Sequence, residues 1–189
     1  MTRVAEFSIE EMFVRRWSPR AMSGQSVTEA ELLRLFEAAR WAPSGGNSQP
    51  WRFAYAIAGE PEFARFFDLL ADGNKIWCHR AGALIVVLSQ AVLDNGKPYP
   101  PHAFDAGAAW MSLALQGSAM GLVVHAMGGF DAERARTVLE VPDAQAVQVM
   151  IAVGHPGKVE ELPEKLQPRE QPSLRRPVRE LIAKGRAPR

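Results

Sequence analysis

Pro43-Ser-Gly-Gly-Asn-Ser-Gln-Pro-Trp-Arg-Phe53 decides how this chain is read. Ahead of it, Thr28-Glu-Ala-Glu31 is a capping box, a hydroxyl and a carboxylate reciprocally satisfying the first amides of a helix. Leu32, Leu35, Phe36 and Ala39 then fall at helical spacing and predict one apolar stripe, which Pro43 stops. Behind it, Trp51, Phe53, Tyr55 and Ile57 alternate with Arg52 and small residues, the pattern of a strand. The connection from Trp41 to Trp51 concentrates the polar side chains of Ser44, Asn47, Ser48 and Gln49 around Gly45 and Gly46. Glycines there let a backbone approach a ligand closely, although ordinary turn chemistry calls for the same residues.

Working outward, Ser8-Ile-Glu-Glu11 repeats the capping-box signal and predicts a helix ending near Arg15 to Trp17. Phe63, Phe66, Phe67 and Leu70 form another helical stripe. Ala83 to Leu88 is wholly apolar and rich in β-branched residues, as a central strand is. Asp105 is the expected cap of a long apolar helix. Leu122 to Ala126 is expected to be a strand and Asp131 to Leu139 a helix, and Val147, Val149, Ile151 and Val153 mark a last core strand. Past Gly154 come Pro156, Pro163, Pro168, Pro172 and Pro177, so residues 155–177 are expected to be an extended arm, on its own subunit or around a partner, with a short helix from Val178 to Lys184. Strands and helices interleave without a βαβ rhythm, which predicts an α+β fold, a mixed α/β sheet being the alternative.

The 189 residues fit one domain, 1–189, with a sizeable core. A formal net charge of +1 gives no case for binding nucleic acid or an anionic membrane surface, so any bound anion needs a local cluster of cations. The single cysteine, Cys78, excludes an intrachain disulfide. The N-terminal stretch carries acids where a signal peptide needs an apolar run. Ala106 to Val124 is near the minimum length of a membrane span, but Ser112, Gln116 and Ser118 interrupt it, and a helix buried in a core and running into a strand is the better reading. A soluble cytoplasmic protein is expected.

The common catalytic signatures are absent from the sequence: no GxGxxG, P-loop, HExxH or GxSxG is present, and no metal site is expected. Cys78 and His79 are neighbours whose side chains point apart. Two further patches stand out. Arg15-Arg16-Trp17-Ser18-Pro19-Arg20 places three cations and a hydroxyl just past a helix end, and Leu174-Arg175-Arg176-Pro177 closes the arm. Each alone reads as a solvated charge run.

Taken in order, RRWSPRAM (15–22), ARWAPSGGNSQPWRF (39–53), HAMGGFD (125–131), VGHPG (153–157) and LRRP (174–177) resemble the nitroreductase family, its short members in particular, from about Glu11 to Glu180. The resemblance implies a central mixed, mainly antiparallel sheet flanked by helices, with the C-terminal arm reaching onto a partner subunit. It implies a homodimer with flavin mononucleotide (FMN) at the subunit interface and NAD(P)H as electron donor. Arg16, Ser18 and Arg20 would hold the FMN phosphate and the polar edge of the ring, with Arg15 and Trp17 beside them. Ser44, Gly45, Gly46, Asn47 and Gln49 would reach the same flavin from the other subunit. Asn74 would bond the pyrimidine edge. Met127, Gly128 and Gly129 match a turn whose backbone amide faces flavin N5, and Arg175, or Arg176 one register on, would complete the phosphate clamp.

The sequence departs from the family at Trp17, where Arg or His is common, at Met22, where Phe is, and at Ser173, where longer relatives carry Lys. Trp41, His102 and Phe104 are the candidate substrate-pocket residues, by position. The implied chemistry is ping-pong electron transfer from NAD(P)H to a nitroaromatic, quinone, activated alkene or similar acceptor, with no essential side-chain acid or base. The alternative is a flavin-binding or flavin-storing dimer without NAD(P)H turnover.

Overall fold

The computed structural model describes residues 3–188. Ala83–Gln90 (β2) lies centrally in a four-stranded sheet, and its side chains are buried from Ala83 to Ser89. Trp51–Ile57 (β1), Val123–Met127 (β3) and Gln145–Gly154 (β4) complete the order β1-β2-β4-β3. Every pairing is antiparallel. No two neighbouring strands are parallel, so the sheet is not mixed; β2 and β3, both antiparallel to the β4 between them, run in the same direction and are joined by a crossover through the helix His102–Ala119.

Because side chains alternate across a strand, β2 feeds two cores. Leu84, Val86 and Leu88 face one and Ala83, Ile85 and Val87 the other. Burying each large aliphatic side chain contributes roughly 1.5–3 kcal/mol, so this strand is the anchor of the fold. Glu29–Arg40 (α2) and His102–Ala119 (α5) cover the second face through Leu32, Leu35, Ala109 and Leu113. The first is covered by Pro61–Phe67 (α3), Asp72–Cys78 (α4) and Ala132–Val138 (α6), with Phe66, Trp77, Cys78 and Ala135 inside. Glu11–Arg15 (α1) and Val178–Leu181 (α7) are short and lie outside both cores.

The Thr28–Glu31 capping box forms: the Glu31 amide donates to Thr28 Oγ1 at 3.2 Å and the Thr28 amide donates to Glu31 Oε2 at 2.8 Å. Asp131 likewise caps α6 through the Arg134 amide. The second capping box, at Ser8, does not form. α1 starts at Glu11 after an N-cap Glu10 that makes no side-chain bond, since a five-residue helix contributes too little to organise its own start. Asp105 is not a cap either, because α5 begins three residues earlier, after Pro101, and frees that carboxylate for another partner.

Other corrections concern short elements. α3 ends at Phe67, and Leu70 instead bridges Phe130. α4 was unforeseen: its first turn holds Asp72, Gly73 and Asn74, poor helix formers, and tertiary packing of Trp77 and Cys78 holds it. The stretch 155–177 is not extended throughout. Val159–Glu161 and Gln167–Arg169 form 3₁₀ turns that seat Leu162 and Leu166 in the first core of the chain's own fold. From Ser173 onward every described residue is exposed, and the arm includes the single turn of α7. The apolar stretch 106–124 splits between α5 and β3, and among the described residues no helix is long and apolar enough to cross a membrane.

Candidate functional site

The basic segment after α1 folds into a wall of cations. Arg16, Trp17, Ser18 and Arg20 line a cavity of about 360 Å³ together with Arg3, His125, Arg169, Gln171, Ser173 and Arg175. Arg16 Nη1 donates to Ser18 Oγ at 3.2 Å, but its buried Nε has no partner among the described residues. Burial, then the nearby Arg175, lowers the affinity of Arg16 for its proton. Arg3 is depressed by burial, by Arg175 and by Arg16. Such crowding of like charge is unfavourable until an anion enters. Guanidinium forks and a hydroxyl are the donors a phosphate dianion needs, so the donor set fits one.

The structure separates residues that adjacency could not. Arg175 lines this cavity; Arg176 turns to a neighbouring apolar one with Val4, Phe7 and Phe13. Arg15 faces away, into the groove with Trp17 and Pro172. Arg3, Arg169 and Gln171 were not foreseen. The one sequence signal for the last two is the spacing of two that joins Arg169, Gln171, Ser173 and Arg175.

His125, on β3, ties this wall to the sheet. Its Nδ1–H donates to Pro19 O at 2.8 Å and its ring meets Trp77 at 4.8 Å between centroids. Desolvation lowers its pKa; the bond to Pro19 and the Glu170 carboxylate oppose this, and Arg20 adds to it. A folded pKa below the unfolded value of about 6.5 means that the unfolded chain gains the proton first. The stability from neutral His125 is thus full above that pH and lost as pH falls through it toward the folded value. His125→Asn, which keeps an N–H donor, is expected to flatten this fall in urea unfolding between about pH 7 and 5. An unchanged slope would assign the acid lability to other groups.

Met127, Gly128 and Gly129 follow on the same strand end. Asn74, on α4, donates from Nδ2 to Gly129 O at 2.9 Å and accepts at Oδ1 from Trp77 Nε1 at 3.3 Å. A side chain at 129 would start 2.7 Å from Asn74 Nδ2, so only glycine admits this contact. Asn74 therefore braces the turn. Beneath it Cys78 Sγ lies 3.4 Å from Met127 Sδ, and burial pushes its thiol up, so Cys78 is packing and not a nucleophile.

The loop 44–49 is strained: Gly46, Asn47 and Gln49 have φ of 56°, 55° and 46°. Gln is rare in that region, and strain of this kind persists only where surroundings impose it. The Gln49 amide donates to Ser44 Oγ at 3.0 Å, and Ser48 Oγ donates to Gly45 O at 2.6 Å. From α5, Asp105 Oδ2 accepts the Gly45 amide at 3.2 Å and the Tyr99 hydroxyl at 2.6 Å, and that hydroxyl also lies 2.9 Å from Gly45 O. The carboxylate beside Tyr99 raises its pKa. A Cβ at 45 would stand 2.7 Å from the Tyr99 hydroxyl oxygen. None of Ser44, Gly45, Gly46, Asn47 or Gln49 lines the arginine cavity of its own chain.

Trp41, His102 and Phe104 have different surroundings. Trp41 is 74 % exposed, its indole N–H held by Glu37 and its ring under the Arg40 guanidinium, in a groove between α2 and α5. Phe104 is 82 % exposed. His102 is fixed through Nδ1 to the buried Ser89 hydroxyl at 2.8 Å, which in turn accepts from Gln148 at 2.9 Å. The groove that Trp41 lines contains neither His102 nor Phe104. Nor do the described residues contain a cluster of His, Cys, Asp and Glu able to hold a metal ion.

Known proteins share this chain's sequence pattern and fold. The model of the nitroreductase family matches residues 14–75 and 58–155. A crystal structure described as an oxidoreductase containing FMN superposes with a TM-score of 0.94 at 39 % identity, covering 97 % of this chain and 95 % of that one. An NADH dehydrogenase of Thermus thermophilus is 29 % identical over 179 residues, 77 % of this chain and 85 % of its own. An FMN reductase (NADPH) of Bacillus subtilis is 26 % identical over 179 residues, 82 % and 70 % of the two chains. By motif order, fold and family match, the chain belongs to the nitroreductase family.

Proposed function

We propose that this chain is an FMN-dependent oxidoreductase that passes electrons from NAD(P)H to a small oxidised acceptor, a nitroaromatic, quinone, activated alkene or similar compound. The observation that carries it is the arginine cavity with the unpartnered buried Nε of Arg16. The chain works as one domain paired with a second copy, FMN lying between them.

Arg16, Ser18, Arg20 and Arg175 would hold the phosphate, each charged hydrogen bond contributing roughly 1.5–3 kcal/mol net. Gly128 follows β3 three residues beyond His125, roughly 10 Å along an extended chain, so the cavity and this turn would hold different parts of one FMN. The backbone of Gly128 and Gly129, braced by Asn74, would face the ring. Ser44 to Gln49 would close the site from the second subunit, which suits a polar, strained loop that misses the cavity of its own chain. Phe7, Ile9, Phe13 and Leu174 are exposed, apolar and line one cavity, which suits a surface that a second copy would cover.

The chemistry that bound FMN supplies is two-electron transfer, hydride arriving from NAD(P)H and electrons leaving to the acceptor after the oxidised nicotinamide departs. The chain's own part is to hold, orient and shield.

The purified protein is expected to be yellow with stoichiometric FMN, to bleach anaerobically with NADH or NADPH, and to recolour with an acceptor. Colourless protein that takes up no added FMN overturns the proposal. Bound FMN that neither nicotinamide reduces leaves a storage dimer.

A further inference from the structure

Arg20 and Ala21 aim their backbone amides at one carboxylate oxygen 150 residues away. Glu170 Oε1 accepts them at 2.6 and 2.8 Å, and its side chain is only 2 % exposed. Oε2 makes no hydrogen bond among the described residues and lies 3.9 Å from Arg20 Nη1. A carboxylate so buried is costly unless its bonds compensate, and here it closes a nest of two successive amides.

The place of Glu170 in the chain gives this contact its meaning. Upstream, Leu162 and Leu166 are sealed in the core; downstream, every residue from Ser173 to Pro177 is exposed. Glu170 ends the 3₁₀ turn, its own amide donating to Gln167 O at 3.0 Å, and is the last buried side chain before the arm runs free. While Glu170 points inward, Arg169 and Gln171 on either side line the arginine cavity, as do Ser173 and Arg175 further along. The odd-numbered residues thus share the side toward the cavity, and a slip of one residue along the arm would turn other side chains to it. Arg3 makes a second tie, donating from Nε to Ser173 O at 3.0 Å.

We propose that Glu170 is a positioning residue for the anion site: it buckles the arm to the Arg20–Ala21 backbone and sets the register that presents Arg169 and Arg175 to the phosphate. This rests on the reading of the cavity as the FMN phosphate site. It also makes Arg169 a binding residue. The Glu170 charge itself competes with phosphate for Arg20, so its bonding geometry and its charge act in opposite directions.

The test compares affinity for FMN and for riboflavin, which lacks the phosphate, by fluorescence titration of ligand-stripped protein. Glu170→Ala is expected to reduce the preference for FMN over riboflavin about tenfold or more, in line with loss of a charged hydrogen bond. Glu170→Gln, whose carbonyl still accepts both amides, is expected to keep or raise it. An unchanged preference in Glu170→Ala, or an equal fall in both variants, overturns the proposal. If Glu170→Ala does not fold, Arg169→Gln at an exposed position carries the test: its preference is expected to fall several-fold, and no change overturns the register argument. A wild-type protein without preference for FMN instead refutes the reading of the cavity.

Discussion

Arg16→Gln is expected to weaken FMN binding about 10- to 100-fold, while leaving the ligand-free fold as stable as before or more so. The two halves have one origin. In the ligand-free chain, Arg16 carries a buried Nε without a partner and shares its cavity with Arg3, Arg20, Arg169 and Arg175. Burial and like charge oppose its ionised form, so removing it relieves a local cost. A phosphate dianion reverses the balance, because the same unpaired donor becomes a charged hydrogen bond in a poorly solvated site. This is strain held in reserve at a binding site. The measurement pairs urea unfolding of stripped protein with FMN titration. Retained affinity with lowered stability would show that Arg16 serves the fold instead.

Trp77→Ala is the largest expected loss of stability, about 3–5 kcal/mol, the usual cost of emptying a buried tryptophan site. Trp77 is 1 % exposed and packs in the first core. Since whole domains are stable by only about 5–15 kcal/mol, the melting temperature should drop by roughly 10 °C or more. Trp77 also links the two ends of the candidate site. Its ring lies against His125, which holds Pro19 of the phosphate segment, and its indole N–H holds Asn74, which braces Gly129. FMN retention is therefore expected to fall at temperatures where the variant is still folded, whereas Trp77→Phe, which keeps most of the packing, restores stability more than retention. Equal recovery of both would reduce Trp77 to filling.

Much of the fold was legible because local pattern and tertiary environment agree. The alternation in Trp51–Ile57, the apolar run from Ala83 to Leu88 and the Thr28 cap all formed as their residues dictate. Where local signals are weak, they failed. The Ser8 cap had no helix long enough to use it, and α4 has a first turn that no propensity favours. Asp105 has the chemistry of a cap but was taken by Tyr99 and Gly45, partners 6 and 60 positions away.

The loop from Pro43 to Phe53 shows the same division. Its sequence by itself determined the helix before it, the strand after it and, with the order of the basic motifs, the family. It determined that Ser44, Asn47 and Gln49 sit on a glycine hinge. Only the tertiary structure decided that the Tyr99 hydroxyl and Asp105 pin Gly45, that Arg175 and not Arg176 enters the cation cavity, and that Arg3, Arg169 and Glu170 belong with Arg16 and Arg20. The physical reason is range. Helix and strand patterns are set by steric and hydrophobic periods a few residues long, whereas these contacts depend on which distant backbone a charged side chain meets once the two cores have closed.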